Sequence, residues 1–217
     1  MAESIDWDWI DRHTDDIVEL TQQHAEIVAT SVTIAIVIAL PLAILVRRGG
    51  IPYVLAAQGS TILYTIPSLA LFAVLVPIVG IGRTPAVIGL VAYAMLILIE
   101  NTVVGLRGVP PPVREAARGM GMTSWQILLR VELPMALPSI LTGIRLATVS
   151  TVGIATIAVL VGAGGLGVLI FNDGIQRGLF LTPIVVGAVC ATVLALVLDG
   201  LLAGLGWAAS GWKRAGR

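Results

Sequence analysis

Few residues in this 217-residue chain have the chemistry to act on a ligand, and their spacing decides what each can do. Gly162-Ala163-Gly164-Gly165-Leu166-Gly167 satisfies G-x-G-x-x-G, the spacing that lets a backbone approach a pyrophosphate. Its surroundings exclude a dinucleotide. The run before it is apolar and of membrane-crossing length, no strand-helix-strand unit encloses it, and Thr182 rather than an acid lies about twenty positions on. That leaves a tight turn or a flexible lid at the outer end of a bundle, because glycine tolerates both close packing and left-handed dihedrals. No G-x-x-x-x-G-K-S/T occurs, so the chain cannot hold ATP in the P-loop manner and any ATP-driven motor is another subunit. His13 and His24 lack a third ligand at metal spacing. Cys190 lies alone within an apolar run. Ser60, Ser68, Ser139 and Ser150 have no histidine and acid arranged around them for hydrolysis. No cofactor, no metal and no nucleic acid is expected.

Glu100, Arg145 and Asp199 stand inside apolar runs, where a charge must pair, snorkel to the interface or face a wet cavity. Glu100 and Arg145 fall toward the same ends of neighbouring runs, and form either an ion pair at an inner gate or two separately snorkelling groups. Asp199 lines a pathway, seals a subunit contact, or snorkels likewise.

The elements that must position these residues follow from composition. The chain is 57% hydrophobic and only 12% charged, with mean hydropathy +0.98. A soluble domain is about 25% charged. A hydrocarbon core of about 30 Å needs roughly 20 helical residues, and five segments supply them: about 25–46, 54–79, 85–104, 135–161 and 183–208. The fold expected is therefore an all-α polytopic membrane protein of about five transmembrane helices. Pro67 is placed to kink the second. Residues 162–182 are too interrupted to cross alone and are read as a partial or surface-lying helix, with re-entry as the alternative.

Residues 1–24 form a polar, acidic segment, and residues 1–26 hold eight acidic groups and one arginine. It lacks the basic start of a signal peptide; Trp7 and Trp9 mark either an amphipathic segment at the interface or a frayed tail. With five crossings, nine of the thirteen Lys and Arg residues fall on one side, in Arg47-Arg48, the 105–133 connection and the tail at 209–217. The positive-inside rule then places the N-terminus outside and the C-terminus in the cytoplasm of a cell-membrane protein.

The 105–134 connection is the most structured of the loops. Pro110, Pro111 and Pro112 end one helix and pre-set the next. Val113, Ala116, Ala117 and Met120 fall on one small or apolar face, with Arg114, Glu115 and Arg118 around the rest. Gly119 and Gly121 break this helix. Trp125, Ile127, Leu128 and Val131 mark a second short one, which Pro134 is expected to end. Two short helices split by glycines make a cytoplasmic knob, which either docks into a partner or is a plain charged loop.

Glu115-Ala116-Ala117, Gly121, Val131 and Leu133-Pro134, at these spacings, resemble the EAA motif of permease subunits of binding-protein-dependent ABC importers, with Val131 where isoleucine is usual. The stretches TIPSLALFAVLVPIVGIG (65–82), NTVVGLRGVPPPVREAARGMGMT (101–123), VELPMALPSILTGIR (131–145) and VGAGGLGVLIFNDGI (161–175) resemble the osmoprotectant branch, over roughly residues 25–208. Tyr64 stands where that branch has glutamine, and Glu100 where it has arginine. Methionine-type permeases share the loop but match the first two stretches less well.

The resemblance implies a type I ABC importer permease, not itself an enzyme, that carries glycine betaine, carnitine, choline or proline betaine. A permease for methionine or another amino acid is the alternative; a gradient-driven transporter is the rival of another class. It implies that Arg114 to Thr123, with Met122 among them, form a coupling helix in a groove of a cytoplasmic ABC ATPase dimer. Leu133 and Pro134 complete the motif. It also implies a second permease subunit, identical or homologous, and an extracytoplasmic substrate-binding protein. Tyr64, Pro67, Glu100, Arg145, Gly164, Gly165 and Asp199 are the pathway or gate candidates. Trp7, Trp9, Trp125, Trp207 and Trp212 lie near termini, interfaces or the docking loop, so no tryptophan cage for a quaternary ammonium is expected within the bundle. Tyr53, Tyr64, Phe72 and Tyr93 are the aromatics left to touch cargo.

Overall fold

The structure is a computed structural model that describes residues 5–47 and 65–209. Its described elements are helical: α1 Trp7–Arg12, α2 Thr14–Val46, α3 Ser68–Val79, α4 Arg83–Arg107, α5 Pro111–Gly119, α6 Ser124–Ile127, α7 Leu133–Ala155 and α8 Leu181–Ala209. A π-helical turn, Leu128–Glu132, joins α6 to α7, and two further short turns, Ile157–Val161 and Leu169–Ile175, link α7 to α8. Four continuous helical stretches among the described residues are long and apolar enough to cross a bilayer: Thr14–Val46, Arg83–Arg107, Ser124–Ala155 and Leu181–Ala208.

Three expectations change. α2 begins at Thr14, three turns before the apolar run, with Asp15 and Asp16 in its first turn where the helix dipole favours negative charge. Pro67 does not kink a running helix: it is the N-cap of α3, with ψ 134°, and its carbonyl accepts from the Leu71 amide at 3.1 Å. A residue with no N–H loses nothing there. The rest of the expected second span, with Tyr53, Ser60 and Tyr64, lies outside the described residues.

Pro134 does not end a helix either. The Leu133 amide reaches back five residues to the Leu128 carbonyl, so the backbone has already widened where Pro134 withholds its donor and places its ring. A short helix and a span thereby become one element from Ser124 to Ala155.

α2, α4 and α7 form the packed centre. Ala35, Ala39 and Ala43, four apart on α2, are fully buried and belong to one cluster with Val91, Ala94 and Leu98 of α4 and Ala147 of α7. Small residues at this spacing let backbones approach, which in a bilayer replaces the hydrophobic drive available in water. α4 and α7 come equally close: a Cβ on Gly143 would stand 2.6 Å from the Asn101 Cβ. α8 by contrast leaves Val189, Val193, Leu196, Leu201 and Leu205 exposed. Such a surface needs lipid or another subunit to cover it.

The bundle has two chemically distinct ends. At one, the carboxyl ends of α2 and α4 meet α5 and the start of the Ser124–Ala155 helix, with Arg47, Arg107, Arg114, Arg118 and Arg130. At the other, Glu26 pairs with Arg83 at 3.2 Å, the Gly82 amide donates to the Val161 carbonyl, and the Asp6 amide donates to Thr182 Oγ1. There α1 seats Trp9 against His13 and Phe180, with ring centroids 4.3 and 5.9 Å away, while Trp7 stays exposed. The tryptophans thus divide: one is core, one surface.

Candidate functional site

The loop at the basic end is built by local chemistry. Pro110 caps α5 and Pro111 and Pro112 open it, fixing φ where no N–H is needed. The helix closes with a left-handed glycine: the Gly121 amide donates to the Arg118 carbonyl at 2.9 Å and the Met122 amide to the Ala117 carbonyl at 3.2 Å, with Gly121 at φ +81°. Thr123 then starts the next helix by a reciprocal cap, its Oγ1 accepting from the Gln126 amide and its own amide donating to Gln126 Oε1.

Ala117 is buried against the bundle, whereas Val113, Ala116 and Met120 are exposed together with Glu115. The apolar face read from the sequence therefore splits. One alanine packs the helix down and the rest of the face is open.

Arg114 and Glu132 fix the helix to the spans. Glu132 is 9% exposed, and its two oxygens take different arginines: Oε1 accepts from Arg114 Nε at 2.9 Å and Oε2 from Arg47 Nε at 3.2 Å. Arg114 also donates to the Leu106 carbonyl at the end of α4, and Arg47 to the Ile44 carbonyl. One carboxylate thereby connects α5, α2 and the root of α7. Sequence reasoning missed this role of Glu132 and Arg47. The available signal was an acid four residues after Leu128, on the apolar face of the second short helix.

Leu133 and Pro134 sit half-buried just beyond the π-helical turn. Arg145 does not pair with Glu100. Its guanidinium meets Asp199 on α8 in a two-pronged contact, both bonds at 2.7 Å. Helical phase explains the correction: Gly143 of α7 faces α4, and two residues on is about 200° round the helix, so Arg145 points away from α4. Glu100 is exposed and has no ion pair among the described residues.

At the opposite end the glycine turn is tied down, which favours a tight turn over a flexible lid. Gly164 and Gly165 adopt φ +78° and +76°. The Leu166 amide donates to His24 Nδ1 at 3.3 Å, and His24 Nε2 lies 3.1 Å from the Val152 carbonyl. A ring that accepts at Nδ1 carries its proton on Nε2, so the fully buried His24 is a neutral clasp between α2, α7 and the turn. A Cβ on Gly165 would stand 2.9 Å from His24 Nδ1. Gly165→Ala should therefore cost at least about 2 kcal/mol, through left-handed strain plus overpacking. Gly153→Ala, with nothing within 4 Å, should cost nothing. Thermal unfolding in detergent compares the two, and equal midpoints would contradict the clasp.

Phe72 and Tyr93, expected to touch cargo, are core residues here. Phe72 is fully buried beside Gly89, and Tyr93 is 5% exposed with its hydroxyl donating to the Ile66 carbonyl.

The architecture is a helical bundle with four stretches of membrane-crossing length and a short, braced helix at its basic end, and comparison with known proteins identifies its class as a membrane transport component. The chain belongs to the family of binding-protein-dependent transport system inner membrane components, whose family model matches residues 31–206. It is 44% identical to the osmoprotectant import permease protein OsmW of Salmonella typhimurium, over 86% of this chain and 88% of that one. It is 36% identical to the glycine betaine/carnitine/choline transport system permease protein OpuCB of Bacillus subtilis, over 84% and 83%. Among solved structures, a chain of the MetNI methionine ABC transporter, captured facing inward, superposes with TM-score 0.78 at 25% identity, over 89% of this chain and 95% of that one. The fold is that of type I ABC importer permeases.

Proposed function

We propose that this chain is the membrane-spanning subunit of an ATP-driven importer of quaternary-amine osmoprotectants, the class that includes glycine betaine, carnitine, choline and proline betaine. The observation that carries the substrate class is identity of 36% to 44% with osmoprotectant permeases across more than four fifths of each chain, against 25% with the methionine transporter chain. The gradient-driven rival fits poorly with membership of a binding-protein-dependent family.

In this reading the basic end is cytoplasmic and the acidic N-terminal end is outside. The open face of α5, Val113, Ala116 and Met120 with Glu115, docks in a groove of the ATPase dimer, and Gly121 sets the turn that presents it. Closure of the ATPases pulls on α5, and the Arg114–Glu132–Arg47 brace passes that displacement to α7 and α2. A second permease subunit, identical or homologous, covers the exposed apolar surface and completes a passage. A binding protein delivers cargo at the other end, where Gly164 and Gly165 form part of the outer rim. Glu100, Arg145, Asp199, Tyr64 and Pro67 are the remaining pathway or gate candidates. ATP is hydrolysed on the partner, and no bond in the cargo changes.

The test is glycine betaine uptake into proteoliposomes holding the assembled importer, with binding protein outside and ATP trapped inside. Uptake should require both. Gly121→Trp should reduce it at least tenfold, with the chain still inserted and monodisperse, because it adds both left-handed strain and bulk at the docking turn. Uptake without ATP would sink the importer reading. ATPase stimulation by a binding protein loaded with a different solute, with no betaine uptake, would sink only the substrate.

A further inference from the structure

The basic end holds a cavity of about 320 Å³, at the small end of ligand-site volumes, whose charged walls are Arg47, Arg107, Arg114, Arg118 and Glu132. Among the described residues, four guanidiniums and one carboxylate surround a space the size of a small ligand. Glu132 takes two of them, Arg47 and Arg114, through one oxygen each. Those two side chains are 16% and 26% exposed and held in place. Arg107 is anchored through Nε to the Arg47 carbonyl at 3.2 Å, and Arg118 has no acidic partner among the described residues. Both are exposed on the cavity rim.

Like charges converging on a concave space repel unless an anion sits among them. The planar fork of arginine matches phosphate, whose oxygens accept paired N–H bonds. Depth supplies a second argument. Arg47 follows the last residue of the apolar α2 and Arg107 ends the apolar α4, so the cavity opens where hydrocarbon gives way to headgroups. Basic pockets between helices at that level take anionic lipid headgroups. A third argument is orientation. Arg114 and Arg118, four apart on α5, turn toward the cavity, whereas Val113, Ala116 and Met120 are left open. An occupant would sit behind α5 without covering its exposed face.

We propose that this cavity is a binding site for a phosphate group, supplied by an anionic phospholipid headgroup or by free phosphate. Arg107 and Arg118 bind it, while Arg47 and Arg114 are positioned by Glu132. A filled site neutralises the repulsion behind α5 and stiffens the seat of that helix. The inference concerns a ligand of the permease itself and stands whichever solute is carried.

Native mass spectrometry of the delipidated full-length chain tests it, with phosphatidylglycerol, phosphatidylcholine or inorganic phosphate added in turn. Wild type should retain one phosphatidylglycerol at least tenfold better than phosphatidylcholine, or one inorganic phosphate if the source is the free ion. Arg118→Gln should weaken retention several-fold, Arg107→Gln/Arg118→Gln should abolish it, and added salt should weaken it further. Arg130→Gln removes the same charge from an exposed position at the same end and should change nothing. Equal loss in Arg130→Gln and Arg118→Gln would show diffuse surface attraction and overturn the site, as would retention of neither anion. Arg118→Gln breaks no ion pair among the described residues, so the test survives if the double variant fails to fold.

Discussion

Replacing Glu132 with alanine is expected to destabilise the chain by about 3 kcal/mol, the lower edge of what removal of one partner from a buried ion pair costs. The deletion does more than lose two bonds. It leaves the Arg47 and Arg114 guanidiniums close together without the carboxylate that bridged them. Glu132→Gln keeps the shape and one good acceptor and should cost less. Glu132→Asp is shorter by a methylene and cannot span Arg47 at 3.2 Å and Arg114 at 2.9 Å at once. The pair of Glu26 with Arg83 provides the contrast: its side chains are 65% and 47% exposed, so Glu26→Ala should leave thermal unfolding unchanged. Uptake should fall further in Glu132→Ala than instability alone accounts for, since the brace is the route by which α5 is proposed to move α2 and α7. An unfolding midpoint for Glu132→Ala equal to that of Glu26→Ala would remove the brace from the argument.

What the sequence made legible is what local chemistry and bilayer thickness dictate. Length and hydropathy located four of the five expected spans, because an apolar run of some twenty residues has few other uses. Pro110 to Pro112 and Gly121 located both ends of α5, since fixed φ belongs at a helix start and left-handed φ at its close. The EAA spacing pointed to the family because it constrains several residues across a fixed interval.

What stayed hidden depends on contacts between elements. That Arg145 meets Asp199 rather than Glu100 follows from the rotation of α7, which is set by the Gly143–Asn101 contact and not by proximity along the membrane normal. The widened turn at Leu128–Glu132 has no sequence signature, so Pro134 reads as a stop although the register shift accommodates it. Phe72 and Tyr93 read as available aromatics, yet Gly89 opens a seat for one and the broken backbone at Ile66 offers a carbonyl to the other. His24 reads as a lone histidine, and its role exists only because residue 166 returns to it across the bundle.

The pair of Arg145 with Asp199 should give the largest effect on assembly. Both residues lie in helices of crossing length, and Arg145 lines a hollow whose other walls, Pro138, Leu141, Thr142, Leu202, Gly206 and Trp207, carry no charge to pair with a stranded group. Asp199→Ala or Arg145→Ala strands the other group there, and the amount of inserted, monodisperse protein should drop at least tenfold. Arg145→Asp combined with Asp199→Arg restores opposite charges to the same two helices and should recover most of it. Glu100→Arg combined with Arg145→Glu should recover nothing, because Glu100 lies on another face of the bundle. The neutral double variant Arg145→Leu/Asp199→Leu separates structure from transport. Matched leucines should insert normally, since exchanging a paired charge for apolar groups is often neutral or better. Normal uptake in that variant would make the pair a packing element between α7 and α8. Lost uptake in a well-inserted variant would place it in the pathway, because the side chains are 39% and 31% exposed and a passage completed by a second subunit has room to reach them.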